Sequence, residues 1–302
     1  MKGPFSLLEY LQHAPPALPI EPPPNPDPST SDSEYSATDI RTIGTWNDFN
    51  LLNIFQRYNQ LPKEASLPRL DLAPTSPPIP INAKFTLVAR LYEYVAPRVR
   101  RGLRAAFQTM DDTEGLSNIT TVCFGIGGQA RSVARFTATD PGFAFYLLPS
   151  EDEPGPNRAP GTAKPSWNWA TAWANSEEEV DRAVHRQGLC QINWYMRQHK
   201  KREGFVITDR ELVVLRRVDG HNKGTGHLEL AAPIRLTTAG TAAQSQLTVP
   251  LALWYLGMLS SQDEGNRCWN LSTRSHPHLS LNRRASASTT ALLTLMMLSP
   301  LR

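Results

Sequence analysis

Fifteen of the chain's 26 prolines fall within its first 80 residues. Proline has no amide donor and clashes with the preceding turn of a helix, so such a stretch cannot form the interior of a helix or a central strand. Residues 14–39, APPALPIEPPPNPDPSTSDSEYSATD, read as a disordered or polyproline-like arm. Residues 45–58, TWNDFNLLNIFQRY, form one amphipathic helix within it, with Thr45 or Asn47 placed to cap it. Residues 67–80 are a second proline-rich linker. The expected division is therefore an arm over 1–80, a folded domain over 81–264 and a tail of little order over 265–302. The domain is long enough for one sizeable core.

Residues 83–107, AKFTLVARLYEYVAPRVRRGLRAAF, carry apolar side chains at three- and four-residue steps. This predicts a helix that Pro97 kinks or splits. Residues 119–125, 131–138 and 142–148 read as short strands, and 150–160 as a charged, proline-bearing loop. Ser176 followed by three glutamates resembles a capping signature for a helix running to about residue 200. Residues 204–208 and 211–218 form a hairpin about Asp209-Arg210, with a third strand over 227–234. A last helix covers 247–262. The order helix, strands, helix, hairpin, helix predicts an α+β layered domain with a mixed sheet flanked by helices.

Composition excludes several classes. No run of about 18 apolar residues exists, so no membrane-spanning helix is expected. Residues 1–16 make a poor secretory signal. The three cysteines, Cys123, Cys190 and Cys268, are odd in number and lack metal spacing, which favours a cytoplasmic or nuclear compartment over a disulfide framework. Residues 1–80 hold five Lys/Arg against nine Asp/Glu, a balance of −4, so the total of +3 leaves +7 on residues 81–302. A mildly basic domain is compatible with DNA or RNA. Arg98, Arg100, Arg101 and Arg104 are candidate phosphate contacts, although a charge run on a helix is ordinarily a solvated face. The proline-rich arm is a candidate ligand for a protein partner.

No GxGxxG, Walker lysine, GxSxG or HExxH pattern occurs. The polar residues that stand out are Glu93 on the first long helix, Asp140 before an apolar strand, Lys164 in GTAKP, and Gln191 on the following helix. Helix acid, strand acid, lysine and helix glutamine, in that order, fit a metal-dependent phosphodiesterase. There carboxylates hold Mg²⁺ and the lysine steadies the phosphate or the attacking water. The same residues have plain alternatives, since Asp140-Pro141 is an ordinary turn pair. Trp167, Trp169 and Trp173 either stack bases or pack a loop onto the core.

The segments PGTAKPSWNW, GFVITDRELVVLRRV and LTVPLALWYLGMLSS resemble a set of uncharacterised filamentous-fungal proteins over roughly residues 82–262. Members are regarded as having a restriction-endonuclease-like core of the PD-(D/E)xK nuclease superfamily. The resemblance implies catalytic roles for Asp140, Lys164, Gln191 and Glu93, with Asp140 also a metal ligand and Mg²⁺ the cofactor of any active member. It also implies an acid at position 162, where this chain has threonine. A neutral hydroxyl there weakens Mg²⁺ binding. The expectation is a degenerate nuclease-like domain that binds nucleic acid or serves as an accessory module. Its alternatives are a weakly active nuclease and a protein-interaction module.

Overall fold

The computed structural model describes residues 4–25, 35–58, 61–67, 79–112, 118–130, 141–147, 155–218 and 226–263. Residues Met1–Asn270 group as one compact unit. The expected strand over 131–138 and the expected tail over 265–302 lie outside the described residues.

The N-terminal segments are not outside the domain. Strand β1 (Phe5–Ser6) leads into helix α1 (Leu7–Leu11), where the Ser6 side chain accepts from the Glu9 amide. Leu7, Tyr10 and Leu11 are almost wholly buried. Residues 42–45, expected to be linker and helix start, instead form strand β2 (Thr42–Thr45). Helix α2 (Leu51–Tyr58) starts later than expected, because Asn50 rather than Thr45 or Asn47 caps it, its Oδ1 accepting from the Asn53 amide at 2.9 Å. Helix α3 (Leu61–Glu64) and strand β3 (Ser66–Leu67) follow, and β3 pairs with β1. Over its described residues the arm is part of the fold: LLEYL, Ile40 and Trp46 bury apolar side chains, whereas Thr42–Thr45 are exposed and join the sheet through backbone pairing with β9.

Helices α4 (Lys84–Tyr94) and α5 (Ala96–Asp112) are the pair that Pro97 was expected to split. Pro97 sits in the first turn of α5, where a missing amide donor costs nothing. Strands β4 (Val122–Ile126) and β5 (Phe143–Leu147) follow, then β6 (Asn157–Ala163). Helix α6 (Glu179–Gln198) crosses to β7 (Glu203–Ile207), which turns at Asp209-Arg210 into β8 (Glu211–Arg217). Strands β9 (His227–Leu230) and β10 (Ile234–Arg235) and helix α7 (Val249–Ser260) complete the domain.

Among the described residues, eight strands form one sheet in the order β2-β9-β8-β7-β6-β5-β4, with β10 beside β8. Pairing is antiparallel except at β2/β9 and β6/β7. The connection β6-α6-β7 is thus a crossover between parallel neighbours. Both faces of the sheet are covered. Phe205, Ile207, Leu212 and Val214 share a cluster with α5 and α7, whereas Val206, Val213 and Leu215 share one with Leu189, Ile192 and Met196 of α6. Strand alternation sends successive residues to opposite faces. Helix α7 is buried over its whole length, the mark of a helix that is apolar all round.

Residues 157–160 are a correction to the sequence reading. They lie in β6, between β5 and β7, rather than in a loop. Asn-Arg-Ala-Pro-Gly-Thr-Ala has no strand propensity to speak of, and neighbouring strands on both sides impose its conformation. Gly161 is needed there, since a Cβ would lie 2.0 Å from the Phe205 ring.

Candidate nucleic-acid interface

Strands β6 and β7 run parallel, and Lys164 follows directly after the end of β6. Its amide donates to the Ile207 carbonyl at 3.0 Å, which holds it at the end of β7. Thr162 lies two residues earlier. Its hydroxyl reaches the Oε1 of Gln191 on α6 at 3.5 Å, with both side chains buried. Thr162 thus meets Gln191 across the β6-α6-β7 crossover, and Lys164 lies beside Gly188 of the same helix, where a Cβ would sit 3.3 Å from its Cε.

Lys164 is only 6 % exposed. Burial, and after it the positive charge of Lys84 at the start of α4, push its ammonium down from 10.5 to about 8. No described carboxylate contributes to raising it. Glu93 does not join the cluster: it forms an ion pair with Arg90 one turn away on α4. Asp140 lies outside the described residues. Among the described residues no group of three or more His, Cys, Asp and Glu side chains is placed to hold a metal ion. Among the described residues the charge acting on Lys164 is that of Lys84, and two cations together suit an anion.

Around this cluster the polar groups are fixed. Asp209 accepts from the amide and hydroxyl of Ser166 at 2.7 and 2.6 Å. Glu211 accepts from the amide and hydroxyl of Thr171 at 2.7 and 2.6 Å. These four contacts tie the loop after β6 to the β7–β8 hairpin. Trp169 is fully buried and packs within the α6 cluster, so it is a core residue rather than a base-stacking one. Trp167 packs on the opposite cluster.

The four arginines of α5 divide. Arg98 donates to the Tyr10 carbonyl at 2.8 Å and lies 4.7 Å from the Tyr10 ring centroid. Arg100 donates through Nε to the Phe124 carbonyl at 2.6 Å and lies 4.5 Å from the Tyr92 ring centroid. Both are committed to holding the fold, one to α1 and one to the edge strand β4. Arg101 and Arg104 are exposed. Arg104 and Arg100 also line a cleft of about 330 Å³ between α5 and β4, together with Phe107, Asp111, Val122 and Cys123. This division is not legible in the local sequence, because the anchoring partners Tyr10 and Phe124 are remote in the chain.

Of the described thiols, Cys190 is buried and pushed up to about 12, so it is inert, while Cys123 is half-buried. No helix among the described residues is long and apolar enough to cross a membrane.

Compared with known protein families, with curated proteins and with solved structures, the chain matches none.

Proposed function

We propose that this chain is a nuclease-like domain that binds the phosphates of nucleic acid without cutting them. The observation that carries the reading is Lys164: a nearly buried cation beside a second lysine, with Thr162 where an acid would stand. Such a site attracts phosphate, and among the described residues no cluster of carboxylates stands beside it to hold Mg²⁺. The succession α5-β4-β5-β6-α6-β7, with its antiparallel meander and parallel crossover, supports a restriction-endonuclease-like arrangement. Thr162 lies in the last pleat of β6 and Lys164 directly after it, the order that the resemblance implies for the acid and the lysine. Arg104 on the exposed side of α5 supplies a further phosphate contact.

The test is binding and cleavage of single- and double-stranded DNA and RNA by the full chain, with Mg²⁺ or Mn²⁺ and across a salt series. The expected result is no cleavage and binding that weakens steeply with salt. Lys164→Ala and Lys84→Ala should each reduce the log–log salt slope by about one. Cleavage that Lys164→Ala abolishes would establish the enzyme reading instead. Binding indifferent to salt would remove nucleic acid from the account.

A further inference from the structure

The proline-rich segment after α1 is held on the domain in an orderly way. Gln12, Pro15 and Leu18 are buried, at three-residue intervals. Pro16, Pro19 and Pro22 are exposed at the same interval, one residue further on. A three-residue period is that of the polyproline II helix, which has no internal hydrogen bonds and shows one face per third residue.

Both ends of the segment are clamped. The Gln12 side chain accepts from the Gln246 amide at 2.7 Å and donates to the Gln246 carbonyl at 3.1 Å. At the other end Ile20 bridges to Ile81, whose amide donates to the Pro19 carbonyl at 2.9 Å and whose carbonyl accepts from the Glu21 amide at 2.9 Å. Pro15 and Leu18 bury their apolar side chains on the domain, and Pro16, Pro19 and Pro22 are exposed. Ile79, two residues before Ile81 on the pairing segment, is 61 % exposed and extends the apolar patch.

We propose that Pro16, Pro19 and Pro22 form a docking strand for a protein domain that reads polyproline through an aromatic-lined groove. Proline-recognising grooves grip alternate ridges of such a helix, and a ligand already fixed in shape loses little entropy on docking. Charge narrows the class. Residues 13–25 contain Glu21 and no lysine or arginine, so a groove with a basic rim complements the strand better than one with an acidic rim. The strand is independent of the Lys164 site and stands whether or not nucleic acid binds.

The test is titration of the intact chain against purified SH3, WW and EVH1 domains, read by fluorescence polarisation. At least one should bind saturably, and the combined Pro16→Ala, Pro19→Ala and Pro22→Ala variant should bind at least about tenfold more weakly. All three positions are exposed, so the variant's thermal midpoint should match the wild type and exclude misfolding as the cause. Absence of binding by every domain would overturn the proposal. So would a variant that binds as tightly as the wild type, or a chain that captures only a second copy of itself.

Discussion

The indole of Trp169 lies flat on the imidazole of His185, with ring centroids 5.3 Å apart and planes 14° from parallel. The indole nitrogen donates to the His185 carbonyl at 3.0 Å. Only glycine at position 188 permits this, since a Cβ there would sit 2.5 Å from the indole and 3.3 Å from the Lys164 side chain. Gly188→Ala should therefore push Trp169 off α6 and cost about 1–3 kcal/mol. Denaturant unfolding and the near-ultraviolet tryptophan signal should both register it.

Lys164 makes the opposite prediction. Its ordinary value is 10.5, and in the fold it is about 8. Between these values the unfolded chain holds a proton that the folded chain lacks, so stability rises with pH across that window. Below about 8 both states hold the proton and the folded chain bears the full cost of a buried charge. That cost is about 3 kcal/mol at most. Lys164→Met should thus stabilise the domain at pH 7 by about 1–2 kcal/mol while weakening anion binding, a trade expected at functional positions. The gain should shrink as the pH rises from 8 towards 10.5. A variant less stable than the wild type at pH 7 would refute the unpaired buried charge.

Acidification should destabilise the chain through His185, which is buried, and His199, which is half-buried. Burial, helped by Lys201, pushes His199 from 6.5 to about 4, and burial also lowers His185 despite the opposing charge of Glu211. A lowered histidine is neutral in the fold and protonated when unfolded. Stability is therefore intact above pH 6.5 and falls as the pH drops towards 4. His199→Gln should flatten the stability–pH curve over that interval, as urea midpoints at successive pH values would show.

The arginines of α5 should separate into two groups on mutation. Arg98→Ala removes a hydrogen bond and a cation–π contact to Tyr10, costing about 1–2 kcal/mol of stability. Arg104→Ala touches no such anchor and should leave the thermal midpoint unchanged while lowering the salt slope of nucleic-acid binding by about one. Equal effects of the two on binding would contradict the division.

Much of the sheet was legible because its chemistry is local. The β7–β8 hairpin follows from GFVI and ELVVL about a polar turn, and the break between α4 and α5 follows from Pro97. Strand β6 was not legible, since its residues have no strand preference and β5 and β7 confer it. Helix α1 was hidden by its five-residue length, and β2 by its pairing with a strand some 185 residues later, the separation between Thr42 and His227. Of the expected set Glu93, Asp140, Lys164 and Gln191, Lys164 and Gln191 lie on neighbouring elements because the chain crosses from β6 through α6 to β7. Glu93 was misplaced there because its partner Arg90 is on its own helix.

The clamps at Gln12 have a bearing on how the chain is made. Thr248 bonds to the Leu11 carbonyl across 237 residues, and Gln12 to Gln246 across 234. A ribosome delivers the N-terminal helix long before α7 exists to receive it. Leu7 and Leu11 also face Gly102 of α5, and β1 pairs with β3, so the segment can dock on these earlier elements while its C-terminal end waits for α7. During that interval the Leu11 and Gln12 carbonyl and amide groups are open to water. Closure of so long a loop makes the final docking a late and slow step.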